Sequence, residues 1–163
     1  MQGMKQQILT ILMLSAGQVL AEEPVPERRI VVSLQDHKLA LVEGNKVLRL
    51  YDAAVGKPST PSPQGEYRVI SRMTHPTWYG PHQIVPPGKS NPLGTRWLGL
   101  SVRGFGIHGT SAPQSIGKSA SHGCIRLRNR DVEELFELVP VGTPVELVVS
   151  RPELFQKLSA VAD

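Results

Sequence analysis

Read for apolar and polar positions, the chain resolves into short β-type runs separated by turn residues. Ile30–Leu34, Lys38–Val42 and Val47–Val55 are rich in β-branched and aliphatic side chains, as strands are. Gly44-Asn45 between the last two is a two-residue hairpin signal. "KPSTPSPQG" is a Pro/Ser turn segment leading into a further strand, "EYRVISRM". "THPTWYGPHQIVPPGKSNPLGT" then runs for about twenty residues dense in Pro and Gly, a length usual for lids and binding loops. "RWLGLSV" and "FGIHG" resume strand character. "NRDVEELFELV" is the clearest helical pattern, with Asn129 or Asp131 as N-cap and acids in its first turn. "TPVELVVS" predicts a buried strand, and "RPELFQKLSAVA" a short terminal helix over 151–163 with Pro near its start. No internal repeat or low-complexity tract interrupts the pattern. The expected fold is one compact, mainly β domain over 29–150, with one or two short helices.

The first residues read differently. Lys5 precedes an apolar run from Ile8 to Ala16, and Val19 and Ala21 give an A-x-A-like end. This predicts a secretory signal peptide over 1–21, the rival being an amphipathic N-terminal helix. The run is too short for a transmembrane span, which needs about 20 residues. Residues 22–28 read as a linker. An exported protein is therefore expected.

Charge sharpens the picture. Between Tyr67 and Arg130 there is no Asp or Glu, while Arg68, Arg72, Lys89, Arg96, Arg103, Lys118, Arg126, Arg128 and Arg130 all fall there. A half-chain this basic suits an anionic partner. With few aromatics to stack bases, nucleic acid fits poorly, and an acidic small substrate or cell-surface polymer fits better.

Cys124 is the single cysteine. In an oxidising compartment it is an intermolecular staple, a thiol with chemistry to perform, or a small buried hydrophobe. Its surroundings favour chemistry. His122 lies two residues before it, with Gly123 between, and His108 stands at a strand end sixteen residues upstream. A cysteine and a histidine from separate segments are the usual parts of a thiol nucleophile and its base. With no acid near in sequence, His108 is expected to give its N–H to a backbone carbonyl or hydroxyl. The excess of positive charge is expected to lower the thiol pKa. A zinc site from His108, His122 and Cys124, with His75 or His82, would have enough ligands but lacks any recognised ligand spacing. A papain-like order is excluded, because every histidine precedes the cysteine.

"IHGT", then "SHGCIRL", then a helix opening "NRDV" resemble the L,D-transpeptidase catalytic domain, the YkuD family. The "VVSLQDHKLALVEGNKVLRLYDAAVGKPSTPSPQGEYRVI" segment and "NPLGTRWLGL" are similar to the same family, so the likeness runs from about Arg29 to Ser150. It implies the family's mixed-sheet, β-sandwich-like fold and a cysteine-dependent acyltransferase acting on peptidoglycan stem peptides. Cys124 would be the nucleophile, forming a thioester with release of D-alanine, and His108 the base. Gly109 would orient His108 through its carbonyl, and the N–H groups of Gly123 and Cys124 would form an oxyanion hole. Ser121, His122 and Arg126 would line the site, with Arg126 gripping a substrate carboxylate. Read from the long loop itself, Trp78 and Tyr79 either meet substrate or pack. The acceptor stays open: an amine giving a 3→3 cross-link, a lysine of an outer-membrane lipoprotein, or water, as in an L,D-carboxypeptidase. A non-catalytic cell-wall-binding domain of the same fold is the rival class. The resemblance implies a place in the periplasm or cell envelope, sensitivity to carbapenem-type inhibitors, and neither metal nor cofactor. One common form of the motif has asparagine two residues after the cysteine, where Arg126 stands here.

Overall fold

A computed structural model of the chain describes residues 27–150 and Pro152. The expected signal peptide, most of the linker and the terminal helix lie outside the described residues. Twelve strands follow in order: β1 Arg28–Ser33, β2 Lys38–Glu43, β3 Lys46–Asp52, β4 Val55–Gly56, β5 Gly65–Thr74, β6 Trp78–Tyr79, β7 Ile84–Val85, β8 Arg96–Leu100, β9 Gly106–His108, β10 Ser119–Ser121, β11 Ile125–Arg126 and β12 Pro144–Val148. One helix, α1, spans Asn129–Leu138.

Eight strands form one mixed sheet in the order β11-β9-β8-β5-β12-β1-β2-β3. β1 pairs parallel with β12 and β9 parallel with β11, and the other neighbours are antiparallel. The β2–β3 hairpin turns at Gly44-Asn45, where Gly44 adopts φ 55°, a conformation that favours glycine. Apolar residues of β1 and β2 (Ile30, Val32, Leu39, Leu41) share one buried cluster with Leu98 of β8, Ile107 of β9 and Ile125 of β11. Residues so far apart in the strand order meet only because the sheet curls over on itself. Each such side chain contributes about 1.5–3 kcal/mol on full burial. The curl is nearly closed by a bridge from Ala54, just past β3, to Arg126 on β11, with both N–H···O bonds at 2.9 Å.

α1 packs on the inside of this curl, against β8 and β9, through Val132, Leu135 and Phe136. Its exposed Glu134 reaches back to the far edge of the sheet, accepting from Arg49 Nε at 2.6 Å and Tyr51 OH at 3.1 Å. The N-cap position is Arg128, and no side chain caps the helix. Neither Asn129 nor Asp131 is the cap: Asp131 lies in the first turn, and the Asn129 carboxamide is committed to backbone N–H groups of other segments.

Within the long Pro/Gly segment, β6 and β7 form a small antiparallel hairpin, Trp78 opposite Val85 and Tyr79 opposite Ile84. Its base is clipped by Asn91, which is fully buried. Asn91 Nδ2 donates to the carbonyls of Pro76 (2.8 Å), Val85 (3.0 Å) and Pro86 (3.1 Å), while its Oδ1 accepts from Leu93 N–H at 2.8 Å.

Candidate active site

Alternation along β9 sends Ile107 into the core and leaves Gly106 and His108 on the opposite face. The register then builds a row across four strands: Met73 of β5 opposite Trp97 of β8, Trp97 opposite His108 of β9, and His108 opposite Arg126 of β11. Trp97 stacks on the His108 imidazole, with ring centroids 5.6 Å apart and planes 20° from parallel. The indole also explains Gly106, where a Cβ would lie 2.5 Å from Trp97 Cη2. Cys124 immediately precedes β11. By the same alternation it falls on the His108 face, two positions along from the His108–Arg126 pair.

The turn that carries Cys124 is tied down by hydroxyls. Ser121 Oγ accepts the Gly123 N–H at 3.0 Å and donates to the Cys124 carbonyl at 2.6 Å. Ser62 Oγ donates to the Gly123 carbonyl at 2.7 Å, and Thr60 Oγ1 to the Ser121 carbonyl at 3.1 Å. Gly123 has φ 118°, and a Cβ there would lie 2.4 Å from the Phe105 ring. Only glycine fits that position. The thiol itself points at the Gly104 carbonyl, 3.8 Å away.

His108 is buried, and its Nδ1 lies 2.6 Å from the Gly109 carbonyl. A carbonyl can only accept, so the neutral ring carries its proton on Nδ1 and offers the Nε2 lone pair. Burial pushes the His108 pKa down to about 4, the Gly109 bond opposing and the Arg126 charge assisting. The thiol departs from the sequence expectation. Burial raises its pKa, and this outweighs the lowering by a backbone N–H of Gly106 and by Arg126. The basic surplus of the chain is mostly too distant to act, whereas desolvation acts at the sulfur. The two shifts favour a neutral thiol and a neutral imidazole.

Cys124 opens into a groove of about 510 Å³ walled by Met73, Trp78, Tyr79, Leu93 and Trp97. A cleft of similar size beside Glu43 and Pro140–Pro144 holds neither cysteine nor histidine, so the chemistry singles out the former.

Trp78 and Tyr79 line the groove that Cys124 opens into, and the Gly109 carbonyl holds His108 Nδ1. The Gly123 N–H already donates to Ser121 Oγ at 3.0 Å. Ser121 is 1 % exposed, with its hydroxyl engaged on both sides in the turn. His122 is exposed and outside the groove lining. Thr60, Ser62, Trp97 and Met73 were missed. The first two lie about sixty positions from the turn they hold, and the last two read simply as strand residues. Among the described residues no three His, Cys, Asp or Glu side chains converge as a metal site would require, and no helix is long and apolar enough to cross a membrane.

Comparison with known proteins agrees with this fold. Residues 27–147 match the family model of the YkuD L,D-transpeptidase catalytic domain. YqjB of Bacillus subtilis (strain 168), a protein assigned to the L,D-transpeptidases, is 36 % identical over 154 residues, covering 91 % of this chain and 86 % of its own. The catalytic domain of an Enterococcus faecium L,D-transpeptidase, solved by NMR, superposes with a TM-score of 0.62 at 27 % identity, over 77 % of this chain and 100 % of that one. An L,D-transpeptidase solved in complex with imipenem shares the fold, with a TM-score of 0.65 at 24 % identity, over 76 % of this chain and 59 % of that longer one. With the matched region containing every strand of the site, the chain belongs to the YkuD family of L,D-transpeptidase catalytic domains.

Proposed function

We propose that the protein is a cysteine-dependent L,D-transpeptidase of peptidoglycan tetrapeptide stems. The observation that carries this is the face that Cys124, next to β11, shares with His108 of the paired strand β9, with Cys124 opening into the groove. Cys124 Sγ attacks the carbonyl carbon of the third stem residue while its proton passes to His108 Nε2. The resulting imidazolium gives that proton to the departing D-alanine amine, leaving a thioester. An incoming amine then loses a proton to His108 and displaces the sulfur. Because both groups rest neutral, proton transfer accompanies attack rather than preceding it. The oxyanion is held by the Cys124 N–H. Arg126, whose charge reaches both Cys124 and His108, grips a stem carboxylate.

The acid-free stretch from Tyr67 to Arg130 supplies most of β5 and all of β6 through β11, so the carboxylate-rich substrate meets the basic half of the sheet. Such a substrate requires export to the cell envelope. The acceptor is an amine of a second stem or of a lipoprotein, and water in its place gives a carboxypeptidase.

Incubation with a carbapenem, followed by intact-mass measurement, tests the reading. A stoichiometric acyl adduct is expected, absent in Cys124→Ala and slowed about 10²- to 10⁴-fold in His108→Gln, the usual range for losing a general base. His122→Ala is expected to acylate close to the native rate. Retained muropeptide binding without any adduct would favour the non-catalytic binding domain. Digestion of tetrapeptide-rich peptidoglycan then separates a 3→3 dimer from a tripeptide product.

A further inference from the structure

The carbonyl of Gly109 and the N–H of Thr110 belong to one peptide unit, and both ends are engaged. The carbonyl accepts from His108 Nδ1 at 2.6 Å, while the N–H donates to Asn129 Oδ1 at 3.0 Å. The same Asn129 oxygen accepts from the Thr95 N–H at 3.3 Å. Two glycines make room for it: a Cβ on either Gly94 or Gly109 would lie 2.1 Å from that atom. A peptide unit is planar, so holding its N–H fixes the direction of its carbonyl. Hydrogen bonding at the N–H also polarises the carbonyl and makes it a better acceptor.

We propose that Asn129 is a positioning residue for acyl transfer. Through the Gly109–Thr110 peptide it aims the carbonyl that keeps the His108 proton on Nδ1 and the lone pair on Nε2. The inference rests on His108 being the base. Asn129 itself lies in the first turn of α1 and acts through the peptide rather than on the reacting atoms. A neutral carboxamide suits the task. It satisfies two backbone donors without placing a negative charge near the imidazole, on which, among the described residues, the Arg126 guanidinium of β11 acts. α1 thus does more than pack. Its first residue connects the helix to the base.

The test is the pH dependence of carbapenem acylation of the full chain, with ¹⁵N resonances of His108 read alongside. Asn129→Ala is expected to fold, to acylate about 10- to 100-fold more slowly, as a misplaced catalytic group does, and to lose the strong Nδ1–H tautomer preference. Asn129→Asp keeps an acceptor for Thr110. It is expected to recover roughly tenfold over Asn129→Ala at neutral pH. Its acidic limb should move to higher pH, because a carboxylate stabilises the imidazolium. A folded Asn129→Ala with native rate and unchanged tautomer would overturn the proposal. So would an Asn129→Asp that keeps the native pH profile, and this second variant decides the matter if the alanine variant does not fold. Native acylation by His108→Gln would remove the base assignment itself. An inactive His108→Gln beside a native Asn129→Ala would remove the positioning role alone.

Discussion

Around Cys124, the groups that set reactivity are few and close. Sulfur is partly buried in a wall of aromatic and glycine residues, and the loss of water there opposes ionisation more than the Arg126 guanidinium favours it. The expected outcome for a simple alkylating agent follows. Its rate should climb with pH through an apparent pKa above the ordinary cysteine value, with no plateau at neutrality. A neutral plateau would mean a preformed thiolate–imidazolium pair. The lone cysteine and the distant histidine were legible as candidates for a nucleophile and its base, because few other uses of those residue types fit the export expected from the sequence. The direction of the thiol shift was not, since counting arginines says nothing of which one lies near the sulfur. The role of Asn129 was hidden for a related reason. At a helix start asparagine is a common cap, and the donors it satisfies here lie 34 and 19 residues upstream.

At the scale of elements, the site is a composite of strands and two restrained turns. The runs of β1, β2, β5, β8, β9 and β12, the Gly44-Asn45 hairpin and α1 were readable, because alternation and turn chemistry are local. The single run expected over Val47–Val55 instead divides into β3, which ends at Asp52, and β4, and β10 and β11 are too short to show a period. The small hairpin inside the Pro/Gly segment was not, since Trp78–Tyr79 and Ile84–Val85 are two-residue strands without a period to detect. Asn91 is the residue that gives that segment its shape. Replacing it with alanine leaves three inward carbonyls and the Leu93 N–H unpaired, a loss of about 1–3 kcal/mol. Hydrogen exchange at Trp78 and Tyr79 should rise in Asn91→Ala while β1 and β12 stay protected, and carbapenem acylation should slow. Unchanged exchange across the hairpin would mean that the groove wall stands without its clip.

For the whole molecule, the curl of the sheet buries His108 and in doing so couples the site to stability. An unfolded chain protonates this histidine below about pH 6.5, whereas the folded one resists until about 4. Between those values the unfolded state binds more protons, so stability falls as pH drops, by up to about 3 kcal/mol. Urea unfolding at pH 7 and near pH 4 should show this loss, and His108→Gln should remove that share of it. An identical acid slope in the variant would mean that His108 is protonated in the folded protein. The sequence alone determined the mainly β class and the order of the main strands and helix, because periodicity and turn residues are properties of short stretches, and its rare residue types pointed to Cys124 and His108 as candidates. Only the tertiary structure decided which hydroxyls hold the cysteine turn, which asparagine holds the Gly109–Thr110 peptide and which way the thiol titrates. Those depend on segments tens of residues apart meeting in a curled sheet, and on the water that their meeting excludes.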